Sequence, residues 1–286
     1  MSWAYLPSPS RGYFSLGSLQ IHFYALCIIL GAAVGIAIAA RRWKQRGGNK
    51  EDLYDALLLG IPIGIIGARL YHVITDHQLY FGPDAPNNPV DALKIWEGGL
   101  GIWGGIFAGA LAVYLFAKKR RLPVWDMADA MAPGILVAQG IGRLGNWFNQ
   151  ELYGHATDLP WGLEIYERVG GVSTGNVIAV VHPTFLYEML WCLLGAAFLI
   201  LVDKKFVIGY GRLFASYGAV YCLGRFWIEL LRSDAANTIL GLRINTWVSG
   251  VCLIVALGFV IFGKRGRRTP TEVQQYGKEP IGKSVG

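Results

Sequence analysis

Seven long apolar stretches, separated by short polar segments, constrain this chain of 286 residues more than any other feature of its sequence. They run approximately over residues 19–40, 53–74, 100–117, 127–148, 183–202, 207–231 and 244–262. A helix that crosses bilayer hydrocarbon needs about 20 mostly apolar residues, and each stretch meets or approaches that length. With 53% hydrophobic and only 16% charged residues, the chain carries more apolar surface than a water-excluded core would use. The first, third and seventh stretches hold no charge. The other four do, and their alternation with uncharged spans argues against buried helices of a soluble protein. The sequence therefore predicts an all-α polytopic membrane protein with about seven transmembrane helices.

The formal net charge of +7 would suggest nucleic acid if it lay on one soluble face, but the Lys and Arg fall in short runs between the apolar stretches. Their placement excludes a nucleic-acid partner and reports topology. One set of connections holds Arg41, Arg42, Lys44, Arg46 and Lys50, then Lys118, Lys119, Arg120 and Arg121, then Lys204 and Lys205. The tail adds Lys264, Arg265, Arg267, Arg268, Lys278 and Lys283 to the same side. The opposite set holds only Arg11, Lys94, Arg168, Arg232 and Arg243. Basic residues accumulate on the cytoplasmic side, which gives an N-out/C-in orientation. Two outer loops, 75–99 and 149–182, are rich in Gly, Pro and Asn, and the second is expected to form a small extracytoplasmic lobe. Residues 1–263 are expected to form a single transmembrane domain, and the polar, basic tail 264–286 to be disordered. The first 18 residues lack the basic segment and cleavage site of a signal peptide, so the N-terminus is expected to be retained. Cys27, Cys192, Cys222 and Cys252 lie inside apolar stretches without metal-ligand spacing and read as small hydrophobes.

An Arg or Lys at the centre of a membrane helix costs at least about 2.5 kcal/mol, so each one needs a partner or a task. Besides Arg212, the spans contain Arg69, Arg143 and Arg225, all toward the outer ends of their helices. On the fourth stretch Gln139, Arg143, Asn146 and Gln150 recur at steps of three and four. On the sixth, Tyr221, Arg225, Glu229 and Arg232 do the same, so each set shares one helix face. Two readings are open. The stripes face each other across a water-accessible outer cleft, or Arg225, Glu229 and Arg232 form a structural ion-pair ladder while Arg69 and Arg143 snorkel to lipid phosphate. A guanidinium donates two parallel hydrogen bonds to a phosphate and stays ionised at any relevant pH, so an anionic phospholipid is the natural ligand. Glycine pairs such as Gly31 with Gly35 and Gly105 with Gly109 read as close helix contacts.

The densest polar run is GRLGNWFNQELYG, residues 142–154, which carries Arg143, Asn146, Asn149, Gln150, Glu151 and Gly154 where the fourth helix leaves the membrane. With HFYAL at 22–26, WEGGLGIWGG at 96–105, HPTFLYE at 182–188 and the stripe from Tyr221 to Arg232, it resembles the prolipoprotein diacylglyceryl transferases. Trp147 stands where the family signature usually has Phe. The resemblance covers nearly all of the membrane part, in order. It implies a bacterial cytoplasmic (inner) membrane enzyme that moves the diacylglyceryl group of phosphatidylglycerol to the lipobox cysteine thiol of a prolipoprotein, forming a thioether and releasing glycerol 1-phosphate.

Under that reading Arg143 and Arg225 stabilise the charge that develops on the departing phosphate. Asn146, Asn149, Glu151, Gly154, Tyr221, Glu229, Arg232 and Arg69 are expected at the lipid-binding site, and no cofactor or metal is required. Family members often carry a His, proposed as thiol base, at the position occupied here by Trp103, which cannot accept a proton. Tyr24, Glu151 and His182 remain as substitutes, unless the field of the arginines lowers the thiol pKa by itself. Tyr24 also fits an interfacial belt residue, and His182 a helix cap. His22, His72, His77 and His155 have no role legible in sequence. A non-enzymatic phospholipid binder or translocator is the competing class, though it does not need the Asn and Glu run. An intramembrane hydrolase is disfavoured: there is no Gly-x-Ser-x-Gly elbow, and Asp126 and Asp129 both sit at the inner end of the fourth helix.

Overall fold

The computed structural model describes residues 5–17, 19–83, 85–234 and 238–278. The chain divides into two compact units, residues 1–42 with 128–267, and residues 43–127 with 268–286. Seven long helices are present among the described residues: α1 (Phe23–Gln45), α2 (Lys50–Thr75), α3 (Ile102–Lys119), α4 (Val124–Asn149), α5 (Thr184–Phe206), α6 (Arg212–Glu229) and α7 (Ile244–Phe262). Five of them, α1, α2, α3, α5 and α7, are long and apolar enough to cross a membrane. The mostly helical chain is thus built as a polytopic membrane protein. The two that fall short, α4 and α6, are those that carry the polar stripes, because side chains that must be buried against protein lower a helix's apolar content.

Two boundaries differ from expectation. The first helix starts at Phe23, because Leu19–His22 is a strand, β3, paired with β2 (Tyr13–Leu16). The sixth starts at Arg212, where the guanidinium donates to the Val260 carbonyl of α7 at 2.9 and 2.7 Å, so this arginine sits at a helix end.

In the first unit α1 crosses α4 at backbone distance. A Cβ on Gly31 would lie 2.7 Å from the Ala138 carbonyl oxygen, and one on Gly35 2.7 Å from that of Gly134. The same small-residue face continues up α4 to Gly142 against Ile28 and Gly145 against the Tyr24 ring. α5 and α6 are pinned by the Trp191 indole, which donates to the Val220 carbonyl at 2.8 Å over Gly224. Between them Leu136, Cys192, Ala196, Leu199 and Leu213 form a buried apolar layer. The all-helical expectation is corrected at the lobe, which is a three-stranded sheet in the order β1 (Leu6–Pro7), β4 (Leu163–Val169), β5 (Val172–Val181). Leu163, Ile165 and Val181 pack on Phe185 of α5, with Leu144 and Trp147 of α4 beside them. The lobe therefore seats on the helix ends that bear Arg143 and Glu188. A small hairpin, β6 (Thr238–Ile239) with β7 (Leu242–Arg243), leads into α7.

In the second unit α2 packs on α3 through Gly64 and Gly105, where a Cβ added to Gly64 would lie 3.2 Å from the Gly105 carbonyl oxygen and one added to Gly105 3.4 Å from that of Gly64. The tail, expected to be disordered from residue 264, instead carries α8 (Pro270–Gln275). Thr269 and Glu272 cap it reciprocally, Val273 is buried, and Arg268 pairs with Asp126. Residues 279–286 lie outside the described residues.

Candidate functional site

The site grows from the charges that the first unit must bury. Arg143 on α4 and Arg225 on α6 do not touch each other; both reach Glu188, one turn into α5. Arg143 Nε lies 2.5 Å from Glu188 Oε2, and Arg225 Nη1 2.9 Å from Glu188 Oε1. Arg225 Nη2 continues to Glu229 at 2.7 Å, and Glu229, fully buried, takes Arg243 Nε at 2.7 Å and the Asn245 amide at 3.2 Å. Arg243 and Arg232 then share Asp234, with contacts of 2.7 to 2.9 Å. The result is an alternating ladder of Arg143, Glu188, Arg225, Glu229, Arg243, Asp234 and Arg232. Stranding one member of such a buried pair costs about 3–5 kcal/mol, which is why the ladder is continuous.

Four guanidinium groups alternate with three carboxylates, so the ladder carries one excess positive charge. Its open end is Arg143. The Nη1 group donates to Asn146 Oδ1 at 3.3 Å, while Nη2 has no partner among the described residues. Asn146 passes its amide to Glu151 Oε1 at 2.8 Å, and Asn149 donates to the same oxygen at 3.3 Å. Glu151 therefore orients the two amides and reaches Arg143 only through Asn146. At the far end, burial opposes ionisation of Asp234, but hydrogen bonds from Arg232 and Arg243 outweigh it and hold the carboxyl below its usual range. Beside the Arg225–Glu188 pair, a narrow crevice is lined by Tyr221 together with apolar Trp191 and Ile228. At about 10 Å³ it has room for no more than about one water, so a ligand enters only if its walls move apart.

The structure brings together most of the residues expected from sequence. Tyr24 stands on the first turn of α1, its ring against Gly145, and its hydroxyl has no hydrogen-bond partner among the described residues. Gly154 threads between two helix ends: its amide donates to His182 O at 3.0 Å, and a Cβ there would lie 2.8 Å from the Leu231 carbonyl oxygen. Other expectations need correction. Gln150 leaves the stripe, because the helix ends at Asn149 and the Gln150 amide pairs with the Tyr166 backbone at 2.7 and 3.3 Å. His182 caps nothing; its Nδ1 lies 3.3 Å from the Tyr187 hydroxyl.

Arg69 belongs to the second unit and is spent there. It donates to the carbonyls of Ala92, Gly98, Gly99 and Asp91 at 2.8, 2.7, 3.0 and 2.6 Å, and lies over the Tyr80 ring. Four of its five N–H groups thus hold a loop, which leaves little for a lipid. Trp103, also in the second unit, is half exposed at the start of α3. Asp129 accepts from the Gly211 and Phe214 amides at 2.9 and 2.8 Å, a capping task that removes it from any aspartyl pair. No cluster of metal-ligating side chains occurs among the described residues.

Sequence reasoning missed Glu188 and Arg243. Glu188 had a signal, since a lone carboxylate in an apolar stretch needs a cation as much as the reverse. Arg243 had none, because only the hairpin before α7 turns it back to Glu229.

Comparison with known proteins adds to this geometry. The family model described as prolipoprotein diacylglyceryl transferase matches residues 11–262. Curated relatives named phosphatidylglycerol--prolipoprotein diacylglyceryl transferase include one from Corynebacterium efficiens, 54% identical over 283 residues, covering 96% of this chain and 87% of the relative. One from Rhodococcus jostii is 49% identical over 290 residues, covering 98% and 80%. A relative from Streptomyces coelicolor, whose name adds the number 1, is 49% identical over 279 residues, again covering 98% and 80%.

Proposed function

The chain belongs to the prolipoprotein diacylglyceryl transferase family, and we propose that the open end of its ion ladder binds the phosphate of phosphatidylglycerol while the lipid's diacylglyceryl group passes to a prolipoprotein thiol. It is a transferase of lipoprotein lipidation. The observation that carries the assignment of the site is Arg143 Nη2, which has no hydrogen-bond partner among the described residues, at the open end of a ladder with one guanidinium more than it has carboxylates.

In the step proposed, the sulfur of the lipobox cysteine attacks the glyceryl carbon that bears the phosphate ester. The C–S bond forms, the C–O bond breaks, and its electron pair leaves on the oxygen of glycerol 1-phosphate. Arg143, with Arg225 behind it through Glu188, stabilises that charge as it develops. Asn146 and Asn149, fixed by Glu151, hold the headgroup. Tyr221 lines the entry for the glyceryl part, and Glu229 and Arg232 keep Arg225 in place. Gly154 lets the chain close over the helix ends. With Trp103 unable to take the thiol proton, the arginine field favours the thiolate, and the Tyr24 hydroxyl or Glu151 Oε2, neither of them hydrogen-bonded among the described residues, relays the proton.

All seven long helices are proposed to span the bilayer, α4 and α6 within protein, with the N-terminus outside and the C-terminus in the cytoplasm of a bacterium. The distribution of Lys and Arg supports this orientation. The site then opens to the extracytoplasmic face of the cytoplasmic membrane. The test uses purified protein, phosphatidylglycerol vesicles and a lipobox peptide. Glycerol 1-phosphate should appear only with the cysteine peptide; release that is equal with a serine peptide overturns the transfer reading.

A further inference from the structure

At the opposite end of α2 from the loop that Arg69 holds, the second unit contains a cavity of about 390 Å³ that the transfer reaction does not use. That volume lies within the usual range for small-ligand sites, about 300–1,000 Å³. Its walls come from the end of α1, the α1–α2 turn, the α3–α4 turn and the tail after α8. Among the described residues, Arg120, Arg121 and Lys278 line it against a single carboxylate, Asp52. Arg120 has a distant exposed partner, Asp55, at 3.4 Å, and among the described residues the Arg121 guanidinium has only a 3.4 Å contact to the Gly277 carbonyl.

Two further features shape the site. Trp43 lines the cavity at 1% exposure, and its indole N–H has no acceptor among the described residues. That nitrogen is covered by Gly48, where an added Cβ would lie 2.2 Å from it, so the indole forms the cavity floor and the three cations are left to meet an anion. Arg121 also stands at φ +53°, in the left-handed region where a chain leaving a helix normally has Gly. A long basic side chain kept in that conformation suggests a task for its charge. We propose that this cavity binds a phosphate-bearing anion through Arg120, Arg121 and Lys278 on a floor formed by the Trp43 ring, and that the tail residues Tyr276–Lys278 close over it. The phosphate belongs either to an anionic lipid headgroup of the adjacent leaflet or to a free phosphate compound.

Hydrogen exchange over residues 268–278 of the full-length protein in nanodiscs tests this. Phosphatidylcholine discs provide the baseline, discs containing phosphatidylserine provide an anionic headgroup that is not the transferase substrate, and inorganic phosphate added to phosphatidylcholine discs provides the free anion. Exchange should slow at least fivefold with one of the two phosphate sources. Slowing by phosphatidylserine alone assigns a headgroup, and slowing by inorganic phosphate assigns a free phosphate compound. Arg121→Gly, which suits the backbone while removing the charge, and Lys278→Gln should each lose the effect. Lys119→Gln, a charge-matched change outside the cavity, should keep it. Unchanged exchange with both sources, full slowing in Arg121→Gly and Lys278→Gln, or equal loss in Lys119→Gln overturns the proposal.

Discussion

Glu188→Gln removes the negative charge between Arg143 and Arg225 while preserving the shape of the side chain. The two arginine nitrogens sit 2.5 and 2.9 Å from its two oxygens, on opposite sides of one carboxylate. At a separation of about 7 Å and an effective dielectric of about 20, their unscreened repulsion is about 2 kcal/mol. An anionic ligand at the open end relieves that repulsion. Phosphatidylglycerol should therefore bind the variant more tightly, by about 30-fold for about 2 kcal/mol. Turnover should fall about 100-fold, because the guanidinium groups lose the bridge that fixes their geometry. Affinity is measured by lipid-dependent thermal shift in detergent and turnover by glycerol 1-phosphate release. An affinity that is unchanged or weaker, with turnover at the unmodified level, would refute the idea that Glu188 balances and positions the pair.

Three other outcomes follow from the same geometry. Tyr24→Phe should lower the rate at neutral pH more than at mildly alkaline pH, where the thiol ionises unaided; a full rate across that range removes Tyr24 from the proton relay. Arg69→Ala should speed hydrogen exchange over residues 89–99, at a cost of about 3 kcal/mol for the loop carbonyls left without a donor, with no change in phosphatidylglycerol affinity. A loss of affinity with unchanged exchange would restore Arg69 as a lipid ligand. The depressed pKa of Asp234 gives a pH dependence of defined sign. Its stabilising contribution is complete above the unfolded value of about 3.9 and is lost only as pH falls through the lower folded value. In Asp234→Asn that part of the acid dependence of unfolding should vanish, and an identical acid profile would contradict the pairing with Arg232 and Arg243.

Much of the site was legible in the sequence because an isolated arginine in an apolar stretch must find a partner, and Arg143 and Arg225 did. The same rule applied to Arg69 pointed to lipid, whereas its partners are loop carbonyls whose positions depend on the folded path of residues 91–99. Glu188 lies within HPTFLYE and is the one carboxylate of the fifth apolar stretch, so the pairing rule that singles out the arginines applies to it equally. The lobe itself was expected from the length and composition of residues 149–182, but not its strands, although two runs of β-branched and aromatic residues flank Gly170 and Gly171. Both glycines have positive φ, 60° and 81°, as a tight hairpin turn requires. In the tail, Thr269 followed three residues later by Glu272 is a capping box, which a reading based on charge alone passes over.

The account rests most directly on Arg143, whose side chain joins the ladder, the amide pair and the open end of the site. Arg143→Ala should abolish cysteine-dependent release of glycerol 1-phosphate from phosphatidylglycerol vesicles while the purified protein stays folded, as judged by an unchanged far-UV spectrum. Undiminished release in that variant would contradict the central claim.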